Sequence, residues 1–164
     1  YPHEQEVEET GALREDLRRV YDGDPWHGSS ITEVLKGVEA DVAASRPIPS
    51  AHTIWEIVLH ITGWTREVAS RVRGAAAKSP PEDWPVPRFG GGATAWQAAR
   101  QDLAAAQKEI EAAVDPLTPD DLVFWIENNE GTSCTVGTVI RGLLQHYTYH
   151  EGQIAILKRA AETA

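Results

Sequence analysis

His146 and His150 stand four residues apart in a stretch, Leu143 to Ile154, that otherwise steps like one buried face of a helix. Residues at that spacing lie one above the other, with Cβ atoms about 5–6 Å apart. Two imidazoles so placed can share one ion, with metal–nitrogen bonds of about 2.0–2.1 Å for zinc. A second reading stays open: two core histidines bonded to Glu or to backbone groups, kept neutral because burial disfavours the charged ring. The H-x-x-x-H pair alone does not choose between them. A third ligand has to come from another helix, and His60 offers one, flanked at helical spacing by Glu56, Ile57, Trp64 and Glu67. Three histidines from two helices would leave at least one coordination position open, as a reactive site requires. Imidazole suits several ions alike, so Zn, Ni, Fe and Mn are not distinguished.

Other residue types able to do chemistry read differently. His3 falls in the polar start, His27 in a loop after Trp26, and His52 just ahead of a helix that it could help cap. Gln153 follows His150 by nearly one turn, where it could orient a ligand or water or serve helix packing. Glu56 could accept a proton from a ligating ring, as metal-bound histidines usually require of a neighbour, although a capping role competes for it. Cys134 is the only cysteine, so no internal disulfide can form, and a reducing, cytoplasmic location is expected. It lies in a loop-like stretch ahead of a helix, where a structural role is expected. No Glu precedes a His by three positions, which removes the di-iron bundle pattern. His146 is followed by Tyr147, which removes the H-E-x-x-H protease helix.

Four long helical segments must position these groups. The first is expected from about Val7 to Tyr21, with Leu13, Leu17 and Val20 on one stripe, ending at Asp22-Gly23-Asp24-Pro25. Ser30 and Glu33 form a capping-box pattern ahead of a short amphipathic helix. Thr53 and Glu56 form another, opening a heavily apolar helix that runs to about Arg73. A Pro/Gly-rich connector, Lys78 to Gly92, excludes regular structure. The third helix is expected from Thr94, boxed with Gln97, to Val114. A short turn follows at Thr118-Pro119-Asp120-Asp121, then a strand-like excursion over Leu122 to Ile126 and a polar loop from Asn128 to Ser133. The fourth helix steps through Val136, Ile140, Leu143, Tyr147, His150, Ile154 and Leu157 by fours and threes, with Lys158 and Arg159 where a helix C-terminus favours cations. These elements imply one all-α domain over residues 1–164, a four-helix bundle with at least one crossover and short extra helices in the connectors.

The 164 residues suffice for one enclosed core. The formal net charge of −10 disfavours anionic partners, so neither nucleic acid nor a membrane surface is expected as a partner. No apolar run approaches the roughly 20 residues of a membrane span.

Two segments together resemble the DinB/YfiT-like superfamily: Ile54-Trp55-Glu56-Ile57-Val58-Leu59-His60-Ile61 and Leu143-Leu144-Gln145-His146-Tyr147-Thr148-Tyr149-His150-Glu151-Gly152-Gln153-Ile154. The resemblance extends from about Leu13 to Lys158, and H-x-x-x-H-x-G-Q-I is its most specific part. It implies an up-down-down-up four-helix bundle, often dimeric, and a divalent ion held by three histidines matching His60, His146 and His150. Trp26-His27-Gly28 recurs in similar sequences at the mouth of the bundle, so His27 is a further candidate for touching substrate. Characterised relatives include thiol-dependent S-transferases and isomerases that use mycothiol, bacillithiol or glutathione. The expected function is therefore a metal-dependent, stress-response thiol transferase acting on a small molecule. A metal-dependent hydrolase and a non-enzymatic metal- or ligand-binding protein are the alternatives.

Overall fold

The computed structural model describes residues 2–87, 92–128 and 131–163. The elements run α1 (Pro2–Asp22), α2 (Ile31–Leu35), α3 (Ala40–Ala44), α4 (Ile54–Val72), α5 (Ala93–Val114), α6 (Pro119–Leu122), β1 (Trp125–Glu127), β2 (Ser133–Thr135) and α7 (Val136–Glu162). The protein is predominantly helical. Its four long helices close a ring of contacts, α1 with α5 and α7, and α4 with the same two. None of the described helices is long and apolar enough to cross a membrane.

The apolar stripes read from the sequence are the ones that pack. Leu13, Leu17 and Val20 of α1 are buried, as are Trp96, Ala99, Leu103, Ala106, Ile110 and Ala113 of α5. All seven stripe positions of α7, Val136 through Leu157, are buried as well. A polar thread runs through this core. The Tyr147 hydroxyl on α7 donates to Gln107 Oε1 on α5 at 2.9 Å and lies 2.8 Å from Thr65 Oγ1 on α4. Gln107 Nε2 in turn donates to the Leu17 carbonyl on α1 at 3.1 Å. One connected network therefore touches all four long helices. Burial pushes the Tyr147 phenol upward, so it stays a protonated donor. Breaking such a network leaves buried groups unmet, at about 1–3 kcal/mol each.

The helix starts show which local signals decide. Thr53 and Glu56 form a complete capping box at α4, and Thr118 with Asp121 forms one at α6. At α2, Ser30 accepts from the Glu33 amide at 3.3 Å. The starts of two long helices move. The first helix begins at Pro2 rather than near Val7. The third begins at Ala93, one residue ahead of Thr94, with extended Gly92 as its cap and no side-chain cap bond. Because the glycine run supplies the extended residue, Thr94 falls inside the first turn and cannot act as the cap. The strand-like excursion expected over Leu122 to Ile126 starts only at Trp125, because Leu122 closes α6. It pairs antiparallel with β2, which begins at Ser133 inside the expected loop: Trp125 opposite Thr135, Ile126 opposite Cys134 and Glu127 opposite Ser133. The connector Lys78 to Gly92 is irregular over its described part, and its residues 88–91 lie outside the described residues, as do positions 129–130 of the polar loop.

Candidate metal centre

The regular winding of α7 puts His146 and His150 on one face, ring centroids 4.4 Å apart and Nε2 atoms 3.1 Å apart. The capped start of α4 fixes the phase of His60, whose Nε2 lies 3.0 Å from Nε2 of His146. One ligand atom from each of the three lies within 4.8 Å of the others. His60 and His150 are buried and His146 half-buried.

The outer nitrogens decide what the inner ones can do. His60 Nδ1 donates to the Asp83 carbonyl at 2.6 Å, and His150 Nδ1 donates to Gln153 Oε1 at 2.7 Å. A neutral ring that donates from Nδ1 carries a bare lone pair on Nε2. Two such lone pairs therefore face Nε2 of His146, which can offer at most one proton, while His146 Nδ1 is buried without a partner among the described residues. A cation at the meeting point would take up the lone pairs together, so the donor set fits one divalent ion. Electrostatics agrees. Burial, then the neighbouring His150 and His60 rings, hold His146 down at about 3, against a smaller opposing pull from Asp83. Burial likewise lowers His150, opposed first by its bond to Gln153. Neutral imidazoles are the state that a metal needs.

The chain leaving α4 folds back along it as a strap. Lys78 N donates to Glu67 Oε1 at 2.6 Å. A methyl on Gly63 would touch Pro80 at 3.5 Å, an ordinary contact. Trp64 Nε1 donates to Asp83 Oδ1 at 2.7 Å. The Trp84 ring then stacks on His60, 3.8 Å between centroids and 2° from parallel, and on His52 at 3.6 Å and 3°. Sequence reasoning singles out neither Asp83 nor Trp84. A backbone carbonyl has no residue signature, and an aromatic in a proline-rich connector has no periodicity to place it.

The three histidines line a cavity of about 600 Å³, shared with Trp64, Val68, Trp84, Val139, Leu143 and Tyr149. Its polar lining includes Arg71, bonded to Glu67 at 2.7 Å and to Asn128 at 3.2 Å. Cys134 lines it too. The expectation of a loop there is corrected, since Cys134 lies in β2 opposite Ile126.

The remaining candidates separate. Gln153 holds His150 directly. Glu56 bonds to Thr53, Arg46 and His52, and to none of the three clustered histidines. Burial raises its pKa, but the Thr53 amide, Arg46 and His52 more than offset this, so it lies below its usual range. Its bonded path toward the site runs through His52 and the Trp84 stack. His52 itself does not cap α4; Thr53 does. His27 bonds to Glu151 Oε2 at 2.6 Å and lines a different surface pocket, beside Asp16, Arg19 and Thr148. Glu151 leaves α7 about 100° round from His150, so the structure does not bring His27 to the histidine cluster.

Among known proteins, no curated sequence and no solved structure matches this chain. A family model does match, described as the DinB superfamily and covering residues 24–154, which include α4, the strap and the histidine pair of α7. The match spans most of the molecule and every residue of the three-histidine cluster, and on that ground the chain belongs to the DinB superfamily.

Proposed function

We propose that His60, His146 and His150 hold one divalent ion, of Zn, Ni, Fe or Mn, and that the protein is a metal-dependent S-transferase or related enzyme acting on a low-molecular-weight thiol. The observation that carries this is the meeting of three Nε2 atoms at the wall of a 600 Å³ cavity. A bound divalent ion supplies the positive charge that converts a coordinated thiol to thiolate.

The chain's own residues do the rest. The Asp83 carbonyl and Gln153 fix two rings in the tautomer that presents Nε2 to the ion. Trp64, Trp84, Val139 and Leu143 form apolar walls that exclude water around a thiolate and seat an apolar electrophile. Arg71, held by Glu67 and Asn128, sets a fixed cation in the same cavity. The histidines act as ligands, and none of them is assigned an acid or base step.

The same reading carries the up-down-down-up order for α1, α4, α5 and α7, one domain over residues 1–164, a homodimer, and a stress-response role in a reducing, cytoplasmic setting. The experiment is a panel of mycothiol, bacillithiol and glutathione with a halogenated or epoxide electrophile and metal-loaded protein. Conjugate formation that requires the metal supports the reading. Ester or amide turnover without any thiol would replace it with a hydrolase, and ligand binding without turnover would leave a sequestering protein.

A further inference from the structure

The three metal-facing rings are not held alike. His146 and His150 ride on one helix, while His60 is gripped from outside by the strap. Its Nδ1 donates to the Asp83 carbonyl at 2.6 Å, with Asp83 Oδ1 a further 3.4 Å neighbour. Its face is covered by Trp84. Both grips are themselves anchored: Asp83 by the Trp64 indole, and Trp84 by His52 on its second stack. His52 is tied in turn to Glu56 Oε2 at 3.1 Å, and Glu56 to Arg46 at 2.7 Å. The strap therefore fixes the ring in two independent senses. The carbonyl sets which nitrogen carries the proton, and the indole sets the plane.

We propose that Asp83 and Trp84 are the positioning residues of the metal centre: the strap they belong to presets His60 as a ligand, and ion binding in return holds the strap on α4. This rests on the three-histidine reading above. The reciprocity is required by linkage, because a strap that strengthens ion binding must itself be strengthened by the ion to the same degree. The Asp83 side chain is more than half exposed and meets the centre through Trp64 and His60. Its charge also reaches His146 and His150, an effect that Asp83→Asn removes while keeping the Trp64 anchor.

The test titrates zinc and nickel salts into the metal-free full chain by calorimetry. Asp83→Ala and Trp84→Ala should each weaken binding about 10–100-fold, the range found when a group orienting a ligand is lost. Asp83→Asn keeps an oxygen for Trp64 and should stay close to wild type. In a His60→Ala background, Trp84→Ala should leave the residual affinity alone and Asp83→Ala should change it no more than Asp83→Asn does. The ring they position is then gone, and only the Asp83 charge still reaches the other two. Hydrogen exchange of residues 75–87 should slow when the ion is added. A strap with a merely structural role would lower thermal stability and leave these affinities unmoved, or weaken both backgrounds equally; either result overturns the proposal. A second arm reads the ¹⁵N shifts of the His60 ring in the metal-free protein. Wild type should show the tautomer with a bare Nε2. Asp83→Ala, which keeps the carbonyl but frees it from its Trp64 anchor, should show a mixture, while Trp84→Ala should leave the tautomer in place. If wild type took up neither ion, the metal reading would fall, and an unchanged His60 tautomer in Asp83→Ala would overturn the positioning role separately.

Discussion

The two sides of the centre are built by opposite means. On α7, two of the clustered histidines and the partner of one of them, Gln153, come from eight consecutive residues of a single helix. On α4, the third histidine depends on an irregular strap that returns over it. The helix side gets its precision from winding, so any residue's direction follows from its number. The strap side gets it from contacts between residues 19 and 23 positions apart, joined by irregular chain. The first kind of precision survives local damage; the second depends on each contact being kept.

The largest effect should come from cutting a ligand on the regular side. His150→Ala is expected to remain folded and helical and to lose stoichiometric metal, as circular dichroism and metal analysis on one preparation would show. Its stability should shift by about 1–3 kcal/mol in either direction, since packing is lost and a buried polar group is removed. An unfolded variant would make the metal a scaffold and remove the main physical support for the thiol-enzyme proposal.

Acid should separate the sides next. His146, held at about 3, and His150, also lowered, are neutral when folded and gain protons more readily when unfolded. Their contribution to stability is present above the unfolded value of about 6.5 and is lost as pH falls from there toward the folded values. Each such proton gives a slope of at most about 1.4 kcal/mol per pH unit. Melting curves of chelator-treated protein from about pH 8 to about pH 4.5 should show the decline. Metal retention over the same range should fall too, at or somewhat below the free histidine value, because the ion competes with protons. Retention indifferent to pH would place the ion on carboxylates instead.

A smaller change is expected at the outer partner of α7. Gln153→Ala removes the acceptor of His150 Nδ1 and should weaken metal binding about 10-fold, while Gln153→Glu, which keeps an acceptor, should not. If Gln153→Ala were silent while Asp83→Ala was not, winding alone would position the helix side. Last comes His27→Ala, expected to leave metal affinity unchanged in the same titration. Its cost is local: Glu151, buried on α7, loses its 2.6 Å partner, worth roughly 1–3 kcal/mol in a thermal melt.

The same contrast explains which features are legible in the amino-acid sequence. The stripe through Val136, Leu143, His150 and Leu157 is visible because a helix repeats, and the capping box at α4 is visible because a cap is a local bond between residues three apart. The box that Thr118 and Asp121 form at α6 reads in the sequence only as a short turn, and the one expected at Thr94 does not form. The helical periodicities put His60, His146 and His150 on inward faces, and the family resemblance joins the three as one set. The strap is not legible, because its hold on His60 uses a carbonyl that every residue owns and a stacked ring whose partner lies 24 positions away. The cap at Gly92 is hidden for a related reason, since an extended glycine does the work without a side chain. Cys134 escapes because strand pairing, not its neighbours, places it in β2.

The strap also gives the site a history. His60 and Asp83 are 23 residues apart, whereas His60 and His146 are 86 apart. By the logarithmic dependence of loop closure on length, the longer closure costs about 1.2 kcal/mol more. In a chain made from its N-terminus, α4 and its strap are complete before the residues of α7 have been joined. The expected order of assembly is therefore a half-site on α4 that closes as a local unit, then α7 docking onto it. Pulse-labelling of amides during refolding would show the strap and α4 protected ahead of α7. A strap protected only together with α7 would mean that the half-site cannot stand alone.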